Sequence, residues 1–251
     1  MIVTFTDFGV TGPYMGQMRA VLLNEAPGED IVDLMIDAPA FNPKASSYLL
    51  PAVVESIADG FVCVAVVDPG VGGARRPVIL RCGGGWYVGP DNGLLEMVAR
   101  RAESIAEWWE ITWRPESMSA SFHGRDLFAP VAARLSRDGE AALAEIAAPL
   151  DIDRSVHAGW PDDLQQVVYI DGYGNCMLGM RWDSAAPIET VEADSVAIQP
   201  AATFSDVSTG AAFCYRNAIG LVEIAVNQGS AATQLGLKIG SHVTVRKLSG
   251  K

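Results

Sequence analysis

Three residues whose side chains handle protons stand in two short motifs of this sequence. Asp68 and Arg75 lie at the two ends of the glycine-rich segment DPGVGGAR, and His123 lies in the segment SFHGRD. A carboxylate accepts a proton or a hydrogen bond, an arginine charge favours a hydroxide-like oxygen, and a histidine transfers protons near neutral pH. Together they could position and activate one water molecule without a metal ion, although spacing alone does not show that His123 meets Asp68.

The glycine-rich segment also resembles a phosphate loop, but its ending disfavours that interpretation. Loops that cradle a nucleoside triphosphate combine glycines with a terminal Lys-Ser or Lys-Thr pair. Here the segment ends in Arg75-Arg76 and carries no such pair. We therefore expect this loop to hold something other than a triphosphate.

A parallel sheet is predicted to position Asp68. In the first part of the chain, apolar runs alternate with helical patterns, and Asn42-Pro43 is a typical N-cap followed by a first helical residue. Strands that are apolar throughout and separated by helices are typical of a parallel sheet covered on both faces. The predicted strands are IVTF, IVDLMID and FVCVAVV.

An aspartate ends each of these three strands, namely Asp7, Asp37 and Asp68. Ligands of open α/β sheets bind beyond the carboxyl ends of the strands, so three acids there indicate a ligand-binding edge. Each aspartate alone could equally begin a turn or cap the next helix, as Asp often does.

The helical pattern nearly disappears in the second part of the chain. An acidic, proline-containing stretch at 151–163 is typical of a linker, and short strands separated by Gly, Asn and Asp follow it. Such strands predict a small β-barrel or sandwich. We therefore expect an α/β domain with a parallel sheet over 1–150, a linker over 151–163 and a small β-domain over 164–251.

Composition excludes several classes of function. The net charge is −12 and the chain has no basic cluster, which disfavours nucleic acid and anionic membranes as partners. The four cysteines form no C-x-x-C pair, so neither a zinc site nor a disulfide framework is expected. MIVTFTDFG is predicted to be a first strand, not a signal peptide, and no apolar run reaches membrane-spanning length. A cytoplasmic protein with a small-molecule substrate is expected.

Six segments occur in an order that resembles one enzyme family, the S-adenosylmethionine (SAM) hydroxide adenosyltransferases or SAM hydrolases, relatives of fluorinase and chlorinase. The segments are TDFG (6–9), DPGVGGARR (68–76), PDNGLL (90–95), SFHGRD (121–126), DGYGN (171–175) and GLVEIAVNQGSA (220–231). The resemblance implies an N-terminal α/β domain, a C-terminal β-barrel, and hydrolysis of SAM to adenosine and L-methionine with no cofactor. It also implies a homotrimer whose sites lie between the N-domain of one subunit and the C-domain of the next.

The same resemblance implies the site residues. The catalytic set falls on Asp68, Arg75 and His123; Arg76 is not assigned, because adjacent side chains in an extended segment point apart. The resemblance places ribose contacts on Asp7 and Phe41, adenine contacts on Phe204 and Asn175, the methionine ammonium on Asp171, and further substrate contacts on Tyr173, Asn217 and Asn227. By residue type alone, Phe41 and Phe204 would be assigned to ordinary core packing.

The chain departs from the family pattern at three positions, most of them expected near the methionine end of the substrate. Gly12 stands where many relatives carry Asp, Ala218 where many carry a Ser that meets the methionine carboxylate, and Met177 where the halogenases carry an aromatic residue.

Two alternatives to a hydrolase are a SAM-dependent halogenase and a non-catalytic binder of adenosyl compounds. A halide needs a pocket of neutral donors, and the Asp68 carboxylate would repel it. A binder would be favoured had Asp68, Arg75 or His123 been lost, and all three are present.

Overall fold

A computed structural model describes residues 1–151, 157–183 and 185–248 of the chain. The chain divides into two compact units, Met1–Gly159 and Trp160–Lys251. Residues 152–156 of the predicted linker lie outside the described part. Within the described part, no helix is both long and apolar enough to span a bilayer.

Unit 1 contains a seven-stranded sheet in the order β2-β1-β3-β5-β4-β6-β7. Its strands are β1 (Ile2–Thr6), β2 (Ile31–Met35), β3 (Val62–Val66), β4 (Pro77–Cys82), β5 (Gly85–Pro90), β6 (Glu107–Ile111) and β7 (Ala147–Pro149). Strands β2, β1, β3 and β5 run parallel, whereas β4 pairs antiparallel with β5 and β6, and β6 pairs antiparallel with β7. The three predicted parallel strands are therefore joined by a fourth parallel strand, β5, and by β4, β6 and β7, which pair antiparallel.

The helices of unit 1 bury apolar faces against this sheet. They are α1 (Tyr14–Glu25), α2 (Pro43–Val54), α3 (Glu96–Arg101), α4 (Ala129–Asp138) and α5 (Leu143–Ile146). The α2 helix begins as predicted, because the Asn42 side chain accepts a hydrogen bond from the Ala45 N–H at 3.0 Å. The central strand β3 is fully buried, and alternate valines of β3 pack in one cluster with Met18 and Leu22 of α1.

The order of the parallel strands creates a switch point between β1 and β3. The chain leaves β1 toward β2 on one side and returns to β3 on the other side of β1. At such a point the connections following the two neighbouring strands diverge and leave a crevice for a ligand. Asp7 directly follows β1, and Asp68 lies two residues beyond β3, so both face the edge that the sequence predicted.

Unit 2 contains a second seven-stranded sheet in the order β14-β10-β11-β12-β13-β9-β8. Its strands are β8 (Leu164–Ile170), β9 (Cys176–Arg181), β10 (Ile188–Ala193), β11 (Val196–Pro200), β12 (Ala212–Arg216), β13 (Leu221–Val226) and β14 (Thr244–Lys247), and one short helix, α6 (Ala231–Gln234), follows β13. Backbone hydrogen bonds from β8 to residues 240–243 join the two ends of this sheet. The sheet therefore curls into a barrel around an apolar core that includes Leu178, Val191, Ile198 and Ile224.

The predicted fold class is confirmed: a mixed α/β unit with a parallel core precedes a small barrel-like β unit. The four cysteines of the chain are buried free thiols.

Candidate active site

Unit 1 brings Asp68, Arg75 and His123 into one hydrogen-bonded cluster. The Arg75 Nε and Nη2 atoms donate to Asp68 Oδ2 at 2.9 and 2.5 Å. The same Nη2 lies 2.8 Å from His123 Nδ1. The side chains of Asp68 and Arg75 are only 4% and 10% exposed, and His123 is 9% exposed. Because the pair is shielded from water, its attraction is stronger than that of a surface ion pair.

The contact with Arg75 fixes the protonation state of His123. A guanidinium only donates hydrogen bonds, so the Nδ1 atom of His123 must accept, and the imidazole is neutral with its proton on Nε2. Burial lowers the pKa of His123 and the charge of Arg75 lowers it further, while Asp68 opposes them. Geometry and electrostatics therefore agree on a neutral histidine at pH 7.

The two carboxylate oxygens of Asp68 differ in their hydrogen-bond partners. Oδ2 accepts both hydrogen bonds from Arg75. Oδ1 is buried and has no hydrogen-bond partner among the described residues. A buried oxygen without a partner is costly, and such an atom in a native structure calls for an explanation such as a bound water or substrate.

The glycine-rich loop folds back on itself to place Arg75. Val71 N–H donates to the Asp68 carbonyl and Gly73 N–H to the Gly70 carbonyl, so two successive turns form. Gly72 has φ +78°, and a Cβ there would lie 2.6 Å from the Ala120 carbonyl oxygen. Glycine is required at this position both for the left-handed backbone and for the close approach of the segment that leads to His123.

The neighbouring arginine takes a different partner. Arg76 Nε and Nη2 donate to Asp91 Oδ2 at 2.9 and 2.7 Å. The two adjacent arginines thus form separate ion pairs, and the one that meets Asp68 is Arg75.

A π-helical turn, Gly124–Phe128, begins directly after His123. Such turns are rare and are frequent at functional sites. Ser119 N–H donates to Asp126 Oδ2 at 2.8 Å, which ties the segment before His123 to this turn. Phe128 packs beneath the site, with the Arg75 guanidinium carbon 5.3 Å from its ring centroid. The turn therefore positions His123 and also supports Arg75.

Asp7 and Phe41 meet at the same edge of the sheet. The Phe41 N–H donates to Asp7 Oδ2 at 3.0 Å. Burial raises the pKa of Asp7, this hydrogen bond opposes the rise, and the charge of Asp68 adds to it. Phe41 has φ +59°, an uncommon conformation for a non-glycine residue, and its side chain is 78% exposed. Strained backbone of this kind concentrates at ligand sites, and an exposed ring is available to a ligand.

Unit 2 carries a pocket of about 670 Å³. Five of the residues predicted to bind substrate line it: Asp171, Tyr173, Asn175, Phe204 and Asn217. The lining also includes Met177 and Ala218, two of the positions at which the chain departs from the family pattern. This volume is within the range of small-molecule sites.

The loop between β8 and β9 is held by Asp171. Asp171 Oδ1 accepts from the backbone N–H groups of Tyr173 and Asn175, both at 2.9 Å, and Oδ2 accepts from Asn175 Nδ2 at 3.0 Å. Gly174 has φ +85°, and a Cβ there would lie 2.1 Å from Ser230 Oγ. The loop is therefore closely defined, and the Tyr173 side chain on it is 83% exposed.

An aromatic group forms another part of the pocket. The Phe204 ring centroid lies 4.9 Å from that of Phe213 and 5.5 Å from that of Tyr215, both in edge-on geometry. Phe204 is thus held by edge-to-face contacts with two rings, and it lines the pocket.

Two predicted residues have side chains that are engaged within unit 2. The Asn217 amide makes hydrogen bonds through both its oxygen and its nitrogen. Asn227 lies outside the pocket lining, and its Nδ2 donates to the Val207 carbonyl at 2.8 Å. Any contact of these two residues with substrate stays a prediction.

Sequence reasoning missed Glu223, which lines the pocket and is 2% exposed. Its carboxylate accepts hydrogen bonds from Tyr215 and Asn217. Burial raises the pKa of Glu223, and its two hydrogen-bond donors oppose the rise. The available signal was a single charged residue inside the otherwise apolar strand LVEIAV.

Among residues 1–151, 157–183 and 185–248, no group of three or more His, Cys, Asp or Glu side chains is arranged to hold a metal ion. The expectation that no metal is required stays a prediction.

The sequence and the fold match known proteins along most of the chain. Models of the SAM hydroxide adenosyltransferase N-terminal and C-terminal domains match residues 2–145 and 165–244. A Thermus thermophilus protein named (R)-S-adenosyl-L-methionine hydrolase is 36% identical, over 95% of this chain and 96% of its own. A Salinispora tropica protein of the same name is 34% identical, over 96% and 95%. The crystal structure of an uncharacterized conserved protein from Thermotoga maritima superimposes with a TM-score of 0.84 at 27% identity, over 98% and 99% of the two chains.

Proposed function

The chain belongs to the SAM hydroxide adenosyltransferase family, as its motifs indicated, and from this premise we propose that it hydrolyses SAM to adenosine and L-methionine. Two relatives that match it over nearly their whole length carry the name (R)-S-adenosyl-L-methionine hydrolase. The halogenase and binder alternatives are not favoured.

The proposed reaction is an in-line displacement at C5′ of the adenosyl group. The water oxygen forms a bond to C5′, the C5′–sulfur bond breaks, and its electron pair passes to sulfur. The positively charged sulfonium thus becomes the neutral thioether of L-methionine. One proton of the water stays on the 5′ hydroxyl of adenosine, and the other leaves to a base and then to solvent. Alignment of the water with the breaking bond supplies much of the acceleration.

The observation that carries this proposal is the buried Asp68 oxygen that has no hydrogen-bond partner in the described structure. Oδ2 is fixed by Arg75, while the buried Oδ1 has no partner among the described residues. In the proposed mechanism Oδ1 accepts a hydrogen bond from the attacking water and is the first acceptor of its proton. A halide at the same place would meet this carboxylate without the neutral donors that it needs.

Arg75 and His123 have supporting parts in this mechanism. Arg75 holds the Asp68 carboxylate in place and supplies positive charge that favours a hydroxide-like oxygen. His123 holds Arg75 through Nδ1 in the neutral form. A proton shuttle through Nδ1 would first have to break that contact, so Asp68 is the better initial acceptor.

The remaining residues would hold the parts of SAM that do not react. We assign the ribose hydroxyls to Asp7 and the ribose face to Phe41, whose backbone N–H already orients Asp7. The pocket of unit 2 would take the adenine on Phe204 and Asn175 and the methionine ammonium near Asp171. The assembly proposed is a homotrimer in which unit 1 of one subunit and unit 2 of the next complete each site, and the proposed compartment is the cytoplasm.

Chromatography with detection by mass spectrometry tests this function directly. The purified protein, incubated with SAM in ¹⁸O-enriched water, should release adenosine and L-methionine in equal amounts, with the label in adenosine. Controls without protein and with heat-inactivated protein measure spontaneous breakdown of SAM. Absence of adenosine above these controls, or adenosine without label, would refute hydrolysis by water.

A further inference from the structure

We propose that Glu223 is a positioning residue that fixes two walls of the unit 2 pocket for the adenosyl ligand. The inference rests on the proposed function and extends it to a residue that contacts two side chains of the pocket lining. It is based on the hydrogen bonds of the Glu223 carboxylate and on what its two partners hold in turn.

Glu223 lies in the middle of β13, directly opposite Tyr215 of β12. Its Oε1 accepts a hydrogen bond from the Tyr215 hydroxyl at 2.5 Å, and its Oε2 accepts one from Asn217 Nδ2 at 2.8 Å. Each carboxylate oxygen therefore has its own donor. Both donors belong to residues that line the pocket.

The first wall is aromatic. Tyr215 contacts Phe204 edge-on at 5.5 Å and stacks in a tilted geometry against Phe213 at 5.4 Å. The hydrogen bond from its hydroxyl to Glu223 limits rotation of the tyrosine ring, and the ring in turn limits Phe204. Glu223 thus acts on the surface assigned to adenine through Tyr215.

The second wall is the turn that follows β12. Because Asn217 Nδ2 donates to Glu223, the Asn217 oxygen must point the other way. That oxygen accepts from the backbone N–H groups of Ile219 and Leu221 at 3.1 and 2.9 Å. These two hydrogen bonds close the turn, and Ala218 and Ile219 of the turn line the pocket. Glu223 therefore determines which way this amide points and, through it, the path of the turn.

The burial of Glu223 supports a functional reason for its presence. A carboxylate at this depth costs folding free energy that an apolar residue on the same strand would not cost. Burial also raises the pKa of Glu223. A glutamine could accept from only one partner and would present an N–H group to the other, so it cannot replace both hydrogen bonds in the same geometry.

The main test compares steady-state kinetics and binding in Glu223→Ala and wild type. Without Glu223 the two walls lose their anchor and their contacts with the ligand weaken, so we predict a rise of about 10-fold or more in the KM for SAM and in the Kd for adenosine. The kcat should stay within a few-fold, because Asp68 is untouched. Glu223→Gln keeps one acceptor, so its KM and Kd should lie between those of wild type and those of Glu223→Ala. The matched control is Glu192→Gln, which removes a carboxylate paired with Arg246 elsewhere in unit 2 and should change neither constant.

A merely structural role would give a different pattern. It would lower the melting temperature or the fraction of active enzyme, and the apparent kcat would fall with that fraction. The KM and the adenosine Kd would stay unchanged, and that result would overturn the inference. If Glu223→Ala does not fold, Tyr215→Phe tests the same chain of contacts, since it keeps the ring and removes only the hydroxyl. A Tyr215→Phe protein with native KM and adenosine Kd would equally overturn it.

Failure of the inference and failure of the proposed function are distinguishable in this experiment. If wild type hydrolyses SAM and binds adenosine while the variants match it, only the role of Glu223 is refuted. If wild type neither forms nor binds adenosine, the function and the inference that rests on it fall together.

Discussion

Asp68 and Asp7 each have one carboxylate oxygen that a protein donor holds, and the proposed mechanism gives the two residues different roles. The other oxygen of Asp68 is buried and has no partner in the described structure, and the proposed mechanism places the attacking water there. Asp7 has one oxygen held by the Phe41 N–H and lies at the neighbouring strand end. We therefore expect Asp68 to act on the transition state and Asp7 to act on binding.

Asp7→Ala should raise KM with little change in kcat. The carboxylate offers acceptor oxygens to the ribose hydroxyls in both the ground and the transition state, and loss of such uniform binding appears in KM. The measurement is steady-state kinetics with SAM beside calorimetry with adenosine. Asp138→Ala, which changes an exposed aspartate at the end of α4, serves as control and should behave as wild type. A native adenosine Kd in Asp7→Ala would contradict the assignment.

Acidic pH should destabilise the protein through His123. Burial and Arg75 lower its pKa below the ordinary value of 6.5, while Asp68 and Asp126 oppose them and Arg114 assists. The unfolded chain then binds more protons than the folded chain, so stability falls as the pH drops through 6.5.

Thermal melts of wild type and His123→Asn between about pH 5 and pH 8 measure this effect. The melting temperature of wild type should fall relative to that of His123→Asn as the pH decreases below 6.5. A constant difference across the range would show that His123 is not held in the neutral form.

At the scale of elements, loop geometry decides whether the cluster forms. The loop 68–76 reaches the segment before His123 only because residue 72 has no side chain. The π-helical turn at Gly124–Phe128 then holds His123 from the other side. The two segments meet where Gly72 approaches the Ala120 carbonyl.

Gly72→Ala should reduce turnover more than its effect on stability alone explains. A left-handed backbone costs a residue with a Cβ about 1–2 kcal/mol, and the new methyl group would also press on the Ala120 carbonyl. Gly28→Ala is the matched control, because Gly28 also has positive φ but no atom near the position of the new Cβ.

Both variants should have lower melting temperatures, and only Gly72→Ala should have a much lower kcat at a temperature where both are folded. Equal kcat values in the two variants would show that the close approach at Gly72 does not position the cluster.

Much of unit 1 was predictable because its signals are local. Apolar runs that end in Asp7 and Asp68 predict parallel strands and their ligand-binding edge, and Asn42 is a cap that needs no distant partner. Strands β4 to β7 were not predicted, since the addition of strands at the side of a sheet depends on pairing between segments and no short pattern shows which segments pair. Glu223 was missed for a similar reason. Its partners are Tyr215 on β12 and Asn217 in the turn after β12, and no local pattern indicates these contacts.

At the scale of the whole molecule, the residues assigned to the substrate are divided between two units. Asp7, Asp68 and His123 belong to Met1–Gly159, whereas Asn175 and Phe204 belong to Trp160–Lys251. The proposed homotrimer would complete each site with unit 2 of a neighbouring subunit. A heterologous contact of this kind closes into a ring when the rotation between subunits permits it.

Co-expression of two inactive variants tests this assembly. One carries Asp68→Ala in unit 1, and the other carries Asn175→Ala with Phe204→Ala in unit 2. If sites form across a subunit boundary, mixed trimers contain some sites with two intact halves, and activity should return above that of either variant alone. Analytical ultracentrifugation should give three chains per particle. A mixed assembly without activity would indicate that both halves of a site come from one chain.

The central claim is that Asp68 activates the attacking water, and single-turnover hydrolysis of SAM by Asp68→Asn tests it most directly. The substitution keeps the size of the side chain and removes its charge and its capacity to accept the proton. We predict a rate constant about 10²–10⁴-fold below that of wild type, with a calorimetric Kd for adenosine that is unchanged. A near-native rate constant in Asp68→Asn would contradict the account.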